Sequence, residues 1–320
     1  MLARDLGGHR RGILIDLLNK RAVLITGKGG VGRSTISAGV AIAAARAGRR
    51  VLLVEIGEPE SGYSPLARLF GRDRLPEKIE PIGRGVRGVL LWTRNGHEAF
   101  LKTVIPMPAL VGAAVRSKAL GRLLEAAPSF QEMGIFYLLL TLLKARRPEG
   151  GLENELLVFD MPATGHTLAL TGLPDILLKL MPTGPIAEAL KEGQSYIYNP
   201  ALTATCVVTL PETLPVTECL ELIEGLRATS MPVACAIVNK LAPQEFTEAE
   251  HEAVAPIVQA HKVFGADRFL RLSQTRRSLD RLRGAVDVPI LTIPEFPEIG
   301  DDLLDAVSGA FLPLSPTGAP

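Results

Sequence analysis

Short, mainly apolar runs of five to seven residues recur along the chain, separated by longer segments whose apolar residues have helical spacing. Runs of this kind that carry β-branched residues are typical of strands buried on both faces of a parallel sheet. We therefore predict seven strands, over residues 22–26, 50–56, 88–93, 155–160, 204–210, 233–239 and 288–293. Because segments of helical character alternate with these strands, the chain is predicted to form an α/β fold with a doubly wound, mostly parallel sheet.

Residues 97–148 interrupt this alternation, because they contain helix-like segments and no predicted strand. The three segments cover residues 101–115, 119–126 and 131–144. We interpret this region as a helical subdomain inserted into a discontinuous core of residues 20–96 and 149–312. A second apolar helical stretch is predicted over residues 173–193. The last residues, 313–320, are rich in Pro, Gly and Ser and are predicted to be a disordered tail.

Composition narrows the range of partners. The 320 residues include 35 Lys and Arg against 34 Asp and Glu, and a net charge of +1 argues against broad binding to nucleic acid or anionic lipid. No run reaches the roughly 18 apolar residues that a membrane-spanning helix needs, so no transmembrane segment is predicted.

The three cysteines lack CxxC spacing, which argues against a zinc finger or a disulfide scaffold and fits a cytoplasmic protein. We expect them to be buried core residues.

The strongest chemical signal lies between the first predicted strand and an Ala-rich helix. Residues 27–35 form a glycine-rich segment in the position that a phosphate loop requires. Glycines let backbone amides surround phosphates, and the helix that follows adds further donors and the positive end of its dipole. The Ser34 hydroxyl is predicted to bind Mg²⁺ and Thr35 to contact a phosphate oxygen. The predicted nucleotide-binding residues of this loop are Gly27, Lys28, Gly29, Gly30, Val31, Gly32, Arg33, Ser34 and Thr35.

Two basic residues distinguish this loop from an ordinary phosphate loop. The segment resembles the deviant phosphate-loop class KGGVGK[ST], in which the first lysine, here Lys28, reaches across a dimer interface to the partner's nucleotide. Arg33 stands where that pattern has its second lysine. A planar, forked guanidinium is not equivalent to a point charge on the β- and γ-phosphates. We therefore expect nucleotide binding to be retained and hydrolysis to be affected.

A second motif, residues 159–168, reads FDMPATGHTL and begins at the end of a predicted buried strand. Together with the phosphate loop it resembles the ArsA/GET ATPase family, which includes the arsenite-pump ATPase and the ATPase that targets tail-anchored proteins. The resemblance identifies this segment as switch II. It implies that Asp160 supports Mg²⁺ and that the loop containing His166 senses the γ-phosphate.

Weaker matches follow in the family's order and extend the resemblance from about residue 20 to 305. Residues 208–212 resemble the family's strand followed by Pro-Glu, and residues 293–295 resemble the loop that covers the base. Asn239 matches the asparagine that reads the adenine edge. Outside this context an asparagine after a strand is commonly a turn residue.

Switch I departs from the family pattern. The family usually carries an aspartate there, in a D-P-A-H-like segment, that orients the attacking water. In this chain the corresponding residues 55–61 read EIGEPES. A straight alignment places Gly57 at the position of the aspartate, whereas a shift of one residue places Glu58 there. Glu58 is therefore a catalytic candidate beside Lys28, Arg33 and Asp160, or it is a polar loop residue.

The resemblance implies a dimeric switch that binds Mg²⁺ and ATP and couples nucleotide state to an apolar client or a protein partner. Two alternatives stay open: a weakly or non-hydrolysing subunit paired with a paralogous ATPase, and a positioning ATPase similar to ParA and MinD. The apolar residues of the helical insertion either pack as its own core or form a client groove. The cysteines that hold zinc, arsenite or an iron–sulfur cluster in related ATPases have no counterpart here, so no such site is predicted.

Overall fold

The computed structural model describes residues 12–57, 64–92, 128–162, 172, 175, 178–179, 182–243, 245–261 and 263–312. Its strands are β1 (Ala22–Gly27), β2 (Val51–Gly57), β3 (Glu80–Gly83), β4 (Val86–Trp92), β5 (Leu156–Asp160), β6 (Thr203–Thr209), β7 (Val233–Leu241) and β8 (Ile290–Pro294). They form one sheet in the order β3-β4-β2-β5-β1-β6-β7-β8. Every neighbouring pair is parallel except β3 with β4, which confirms the predicted α/β sheet.

Helices cover both faces of this sheet. In the described part of the chain they are α1 (residues 12–19), α2 (Arg33–Arg46), α3 (Pro65–Leu69), α4 (Pro128–Lys144), α5 (Pro185–Ile197), α6 (Thr213–Ala228), α7 (Glu248–Ala260), α8 (Ala266–Ala285) and α9 (Gly300–Phe311). One buried apolar cluster joins the sheet to α1, α2, α3 and α9, and a second joins it to α4, α5, α6 and α8. None of these helices has both the length and the apolarity needed to cross a bilayer.

Strand β3 was not predicted from the sequence. It pairs antiparallel with β4 at the edge of the sheet, and Ile82 is its single buried residue. Arg84 and Gly85, which connect the two strands, both have positive φ angles. A four-residue edge strand with one apolar contact carries no hydrophobic run, so the pattern that identifies the parallel strands cannot reveal it.

Helix α2 is held tightly between the sheet and α9. Its residues from Ile36 to Ala44 are all buried, and most of them are small. At Gly39 an added Cβ would lie 2.5 Å from Val307 Cγ1 of α9, so only a glycine permits this close approach. Because α2 begins where the phosphate loop ends, this packing fixes the loop against the sheet.

The third helix predicted in the insertion is confirmed as α4, which begins at Pro128. Its side chains Ile135, Phe136, Leu139 and Leu143 are buried in the same apolar cluster as strand residues of β4 and β5. The described part of α4 therefore packs on the central sheet, and these side chains are unavailable to a client. The other two predicted helices of the insertion lie outside the described residues.

Helix α5 only partly overlaps the predicted stretch 173–193, since it begins at Pro185 and continues to Ile197. Proline is favoured at the first position of a helix, where its missing N–H is not needed, and this explains the observed start. Residues 172, 175, 178 and 179 are also helical.

The expectation that the cysteines are buried is confirmed. Cys206 and Cys235 lie side by side on β6 and β7 with their Sγ atoms 3.5 Å apart, and Cys219 lies on α6. All three are free thiols within the core. Burial raises the pKa of Cys219 to about 12, so it stays a protonated, unreactive thiol.

Candidate nucleotide-binding site

The glycine-rich loop connects the carboxyl end of β1 to α2, as the sequence predicts. Gly27, the last residue of β1, has a φ of 152°, and a Cβ at this position would lie 2.4 Å from the Val208 carbonyl oxygen of β6. Any other residue would therefore push the loop away from the neighbouring strand. Gly30 and Gly32 have φ angles of 87° and 90°, which residues other than glycine rarely adopt.

The amino terminus of α2 is suited to bind an anion. Gly32 is the N-cap residue and provides no side chain to bond the amides of the first turn. No acidic residue lies in that turn either, so the positive end of the helix dipole is not neutralised within the helix. Unpaired amides at the end of a helix are the donors that phosphate groups use in proteins.

Asp160, the last residue of β5, is a buried acidic residue next to the amino terminus of α2. The Ser34 hydroxyl donates to its Oδ2 at 2.6 Å, and the Ser37 hydroxyl donates to its Oδ1 at 3.2 Å. Burial raises the pKa of Asp160 above its ordinary value, against the opposing influence of Ser34 and the Arg33 guanidinium. Hydroxyl and carboxylate oxygens are the ligands that Mg²⁺ prefers, so Ser34 and Asp160 fit the ion in this position.

Arg33, the first residue of α2, turns toward the same carboxylate. Its guanidinium donates a hydrogen bond to the Met161 carbonyl oxygen, one residue beyond Asp160. Burial lowers the pKa of Arg33, and the Asp160 carboxylate opposes this effect. The side chain therefore places a positive charge close to Asp160 while it is bound to the backbone of the next residue.

Lys28, a residue of the phosphate loop, forms an ion pair with a helix elsewhere in the chain. Its Nζ atom lies 2.8 Å from Glu218 Oε1 of helix α6, and its side chain is 54% exposed. The hydrogen bond and charge of Glu218 raise the pKa of Lys28, so the lysine is fully protonated at neutral pH. An exposed cation of the phosphate loop is thus held by a helix of the same chain.

Asn239 lies within β7 and contacts the phosphate loop. Its Nδ2 donates to the Val31 carbonyl oxygen at 2.9 Å, and a Cβ on Gly32 would lie 2.3 Å from the same nitrogen. The structure therefore places the Asn239 side chain directly against the phosphate loop. Its predicted hydrogen bonds to adenine stay a prediction.

Two cavities flank the loop along the carboxyl edge of the sheet. One of about 310 Å³ is lined by the ends of β2, β4 and β5 and contains Arg33, Ser34 and Asp160. The other, of about 510 Å³, lies at the ends of β6, β7 and β8 and is lined by Pro211, Lys240 and Glu295 among others. This is the edge at which ligands bind in doubly wound sheets. The predicted strand–Pro-Glu segment and the predicted base-covering loop thus meet at one cavity.

The family description for the CobQ/CobB/MinD/ParA nucleotide binding domain matches residues 22–280 of this chain, which include the phosphate loop, Asp160 and Asn239. The chain belongs to this family. It is a P-loop nucleotide-binding protein, as the geometry of the loop and of α2 indicates.

Similar proteins include ATPases of bacteria, fungi and plants. ATPase BagA of Mycobacterium tuberculosis is 33% identical over 268 residues, which cover 79% of this chain and 76% of that protein. ATPase GET3 of Kluyveromyces lactis is 25% identical, covering 74% of this chain and 76% of the relative. ATPase GET3C of Arabidopsis thaliana is 25% identical, covering 90% of this chain and 83% of the relative. These similarities confirm the resemblance to the ArsA/GET ATPases.

The catalytic candidate Glu58 and the switch II histidine, His166, lie outside the described residues. The described part of this P-loop protein contains a further carboxylate that is not among the predicted site residues. Glu55 of β2 is buried, faces the same cavity as Asp160, and is its partner in the register of the two strands. Burial raises the pKa of Glu55 to about 7, and the Asp160 charge adds to this effect. An acidic residue near the carboxyl end of an apolar strand was the available signal.

Gly32→Ala tests the geometry of the phosphate loop. The new methyl group would clash with Asn239 Nδ2 and would impose a positive φ on alanine. We expect the free energy of unfolding, measured by denaturant titration without nucleotide, to fall by about 1–3 kcal/mol. Gly29→Ala is the matched control, because a Cβ there meets nothing within 4 Å, and it should change stability by less than about 0.5 kcal/mol. Equal stabilities of the two variants would contradict the loop geometry.

The raised pKa of Glu55 predicts a pH dependence of stability. Its ordinary pKa is 4.5 and its value in the fold is about 7, so between these limits the folded protein binds more protons than the unfolded chain. The free energy of unfolding should therefore fall, by about 1–3 kcal/mol, as pH rises from 5 to 8 without Mg²⁺. Glu55→Gln should remove that part of the slope, whereas Glu80→Gln on the exposed edge strand should keep it. Parallel profiles for wild type and Glu55→Gln would refute the shift.

Proposed function

We propose that this protein binds and hydrolyses Mg²⁺–ATP and uses the nucleotide as a conformational switch. The observation that carries the proposal is the Ser34–Asp160 hydrogen bond of 2.6 Å below an uncapped helix terminus. A helix end without a cap provides donors for phosphate, and the buried oxygen pair provides ligands for a divalent cation. ATPases among the similar proteins support the same activity.

Each group of the site has a proposed part in binding. Amides of residues 27–35 would surround the β- and γ-phosphates, and Arg33 would add positive charge at the end of the phosphate chain. Bound Mg²⁺ would neutralise phosphate charge, held by the Ser34 hydroxyl and supported by Asp160. The base would occupy the cavity lined by Pro211 and Glu295, and Asn239, one residue before Lys240 of that lining, would reach its edge.

We propose that two subunits close over the nucleotides and that Lys28 acts on the partner's phosphates. The ion pair between Lys28 and Glu218 supports this arrangement, because it binds the lysine to helix α6 and leaves its side chain half exposed. An exposed ion pair is worth little energy, so a partner's triphosphate can displace Glu218. Closure would then depend on the presence of nucleotide in both subunits.

The proposed output of the switch is a change in how an apolar client or protein partner is bound, in the cytoplasm. Support comes from the resemblance to targeting ATPases and from the connection of Asp160 to the switch II segment. Arg33 adds to that support, since it joins the phosphate loop to the Met161 carbonyl at the start of this segment. A γ-phosphate that competes for Arg33 would alter this hydrogen bond.

A second candidate is a weakly or non-hydrolysing subunit that pairs with a paralogous ATPase. The observation that favours it is the position of Arg33, whose guanidinium is bound to a backbone carbonyl rather than free to follow a transferring phosphate. Turnover by the chain alone distinguishes the candidates. The first predicts hydrolysis by the purified homodimer. The second predicts ATP binding without turnover until the paralogous subunit is added.

Lys28→Ala tests the main proposal. Because a cation supplied from a partner subunit can account for a factor of about 10³ or more in phosphoryl transfer, we expect turnover to fall at least about 100-fold. The affinity for ATP should change less than about threefold, since binding rests on backbone amides of the subunit's own loop. Steady-state phosphate release and equilibrium titration with a fluorescent nucleotide measure the two quantities.

A matched control and a mixing experiment complete this test. Lys144 also forms an exposed ion pair, with Glu192 at 2.7 Å, and Lys144→Ala should leave turnover unchanged. Mixing Lys28→Ala subunits with Asp160→Asn subunits should restore turnover, because heterodimers would contain one intact site. Unchanged turnover in Lys28→Ala, or no recovery on mixing, would show that the lysine does not act between subunits.

A further inference from the structure

Glu55 makes hydrogen bonds that connect the nucleotide site to helix α3. Its carboxylate accepts a hydrogen bond from the Ser64 hydroxyl, and the Leu66 amide donates to it as well. Ser64 is the N-cap residue of α3, and its Oγ accepts a hydrogen bond from the Ala67 amide at 3.0 Å. The same hydroxyl therefore caps the helix and binds Glu55.

The contact is buried on both sides. Glu55 and Ser64 are 6% and 5% exposed, and the neighbouring Leu66 and Ala67 of α3 are fully buried in the apolar cluster shared with α2. A buried carboxylate without hydrogen-bond partners would destabilise the fold strongly. The hydrogen bond from Ser64 to Glu55 therefore contributes to the position of Ser64. Helix α3 is thus positioned by apolar packing and by hydrogen bonds to Glu55.

Ser64 and Pro65 form one wall of the cavity that would receive the end of the phosphate chain. Arg33, Ser34 and Asp160 line the same cavity of about 310 Å³. Asp160 is bound to hydroxyls of α2, whereas Glu55, its register partner, is bound to α3. The two carboxylates thus bind two helices, α2 and α3, whose first residues line one cavity.

From this geometry we infer that Glu55 is a positioning residue of the ATPase reaction, which holds Ser64 and α3 against the phosphate end of the nucleotide. The inference rests on the proposed ATP-dependent function and deepens it. Glu55 acts through Ser64, and its role differs from that of Asp160, which faces the Mg²⁺ position. A displaced α3 would leave the nucleotide bound by the loop but would widen the cavity around the γ-phosphate.

Three variants test this inference: Glu55→Gln, Ser64→Ala and the double variant. Because misplacement of a supporting group by about 1 Å can cost up to 10²-fold in rate, we expect each single variant to lower kcat about tenfold. The dissociation constant for ATP should change less than about threefold, because the phosphate loop is untouched. The double variant should be no slower than Ser64→Ala alone, since glutamine weakens and alanine removes the same hydrogen bond.

A conservative substitution of Ser64 and measurements of amide hydrogen exchange distinguish a positioning role of Glu55 from a general loss of folded structure. Ser64→Thr keeps the hydroxyl and should restore kcat to within about threefold of wild type. In wild type, a non-hydrolysable Mg²⁺–ATP analogue should slow amide exchange in α3, and Glu55→Gln should lose that effect. Glu80→Gln, on the exposed strand β3, should behave as wild type in both measurements. If Glu55→Gln fails to fold, Ser64→Ala carries the test.

The outcomes distinguish this inference from the proposed function. Suppose that the wild type binds and hydrolyses ATP, and that kcat and amide exchange in α3 stay within twofold of wild type in the variants. The positioning role of Glu55 is then wrong, and the ATPase proposal stands. Multiplying losses in the double variant would also refute it. If the wild type does not bind Mg²⁺–ATP, both proposals fail. If it binds without turnover, nucleotide-dependent exchange in α3 decides, because this measurement requires binding only.

Discussion

The buried carboxylate of Asp160 constrains the whole site. An ionised group in the interior is stable only when hydrogen bonds and opposite charge compensate for lost water. Here Ser34, Ser37 and Arg33 supply that compensation, and all three belong to α2. Because α2 is also packed against the sheet and α9, the end of the phosphate loop that joins it is fixed in place. Local pairing of one carboxylate therefore sets the geometry at which a nucleotide would bind.

The same edge of the sheet carries two cavities, the proposed phosphate side and the proposed base side. Strands β2 and β5 contribute Glu55 and Asp160 to the first, and strands β6, β7 and β8 surround the second. Asn239 links the two, since it bonds to the Val31 carbonyl of the loop between them. The proposed switch uses this division: contacts that change with the γ-phosphate lie on α3, Met161 and Lys28, whereas those to the base stay fixed.

Sequence patterns predict the parts of this protein in which chemistry and periodicity coincide. The apolar runs identify every parallel strand, and the phosphate loop was recognised because glycines, Ser34 and a strand–helix context occur together. Strand β3 was missed because a short edge strand needs only one buried side chain. Glu55 has a visible signal, an acidic residue near the end of an apolar strand, but its pairing with Asp160 depends on strand order. The Glu218 partner of Lys28 likewise depends on which elements the fold brings together.

The dependence of ATP affinity on Mg²⁺, measured for wild type, Ser34→Ala and Ser37→Ala, tests the central claim most directly. Both serines donate to Asp160, but only Ser34 lies at the helix terminus where the ion would bind. The account predicts that Mg²⁺ tightens ATP binding about tenfold or more, ~1.4 kcal/mol, in wild type and Ser37→Ala, and less than twofold in Ser34→Ala. Equal Mg²⁺ dependence in the two serine variants would contradict it.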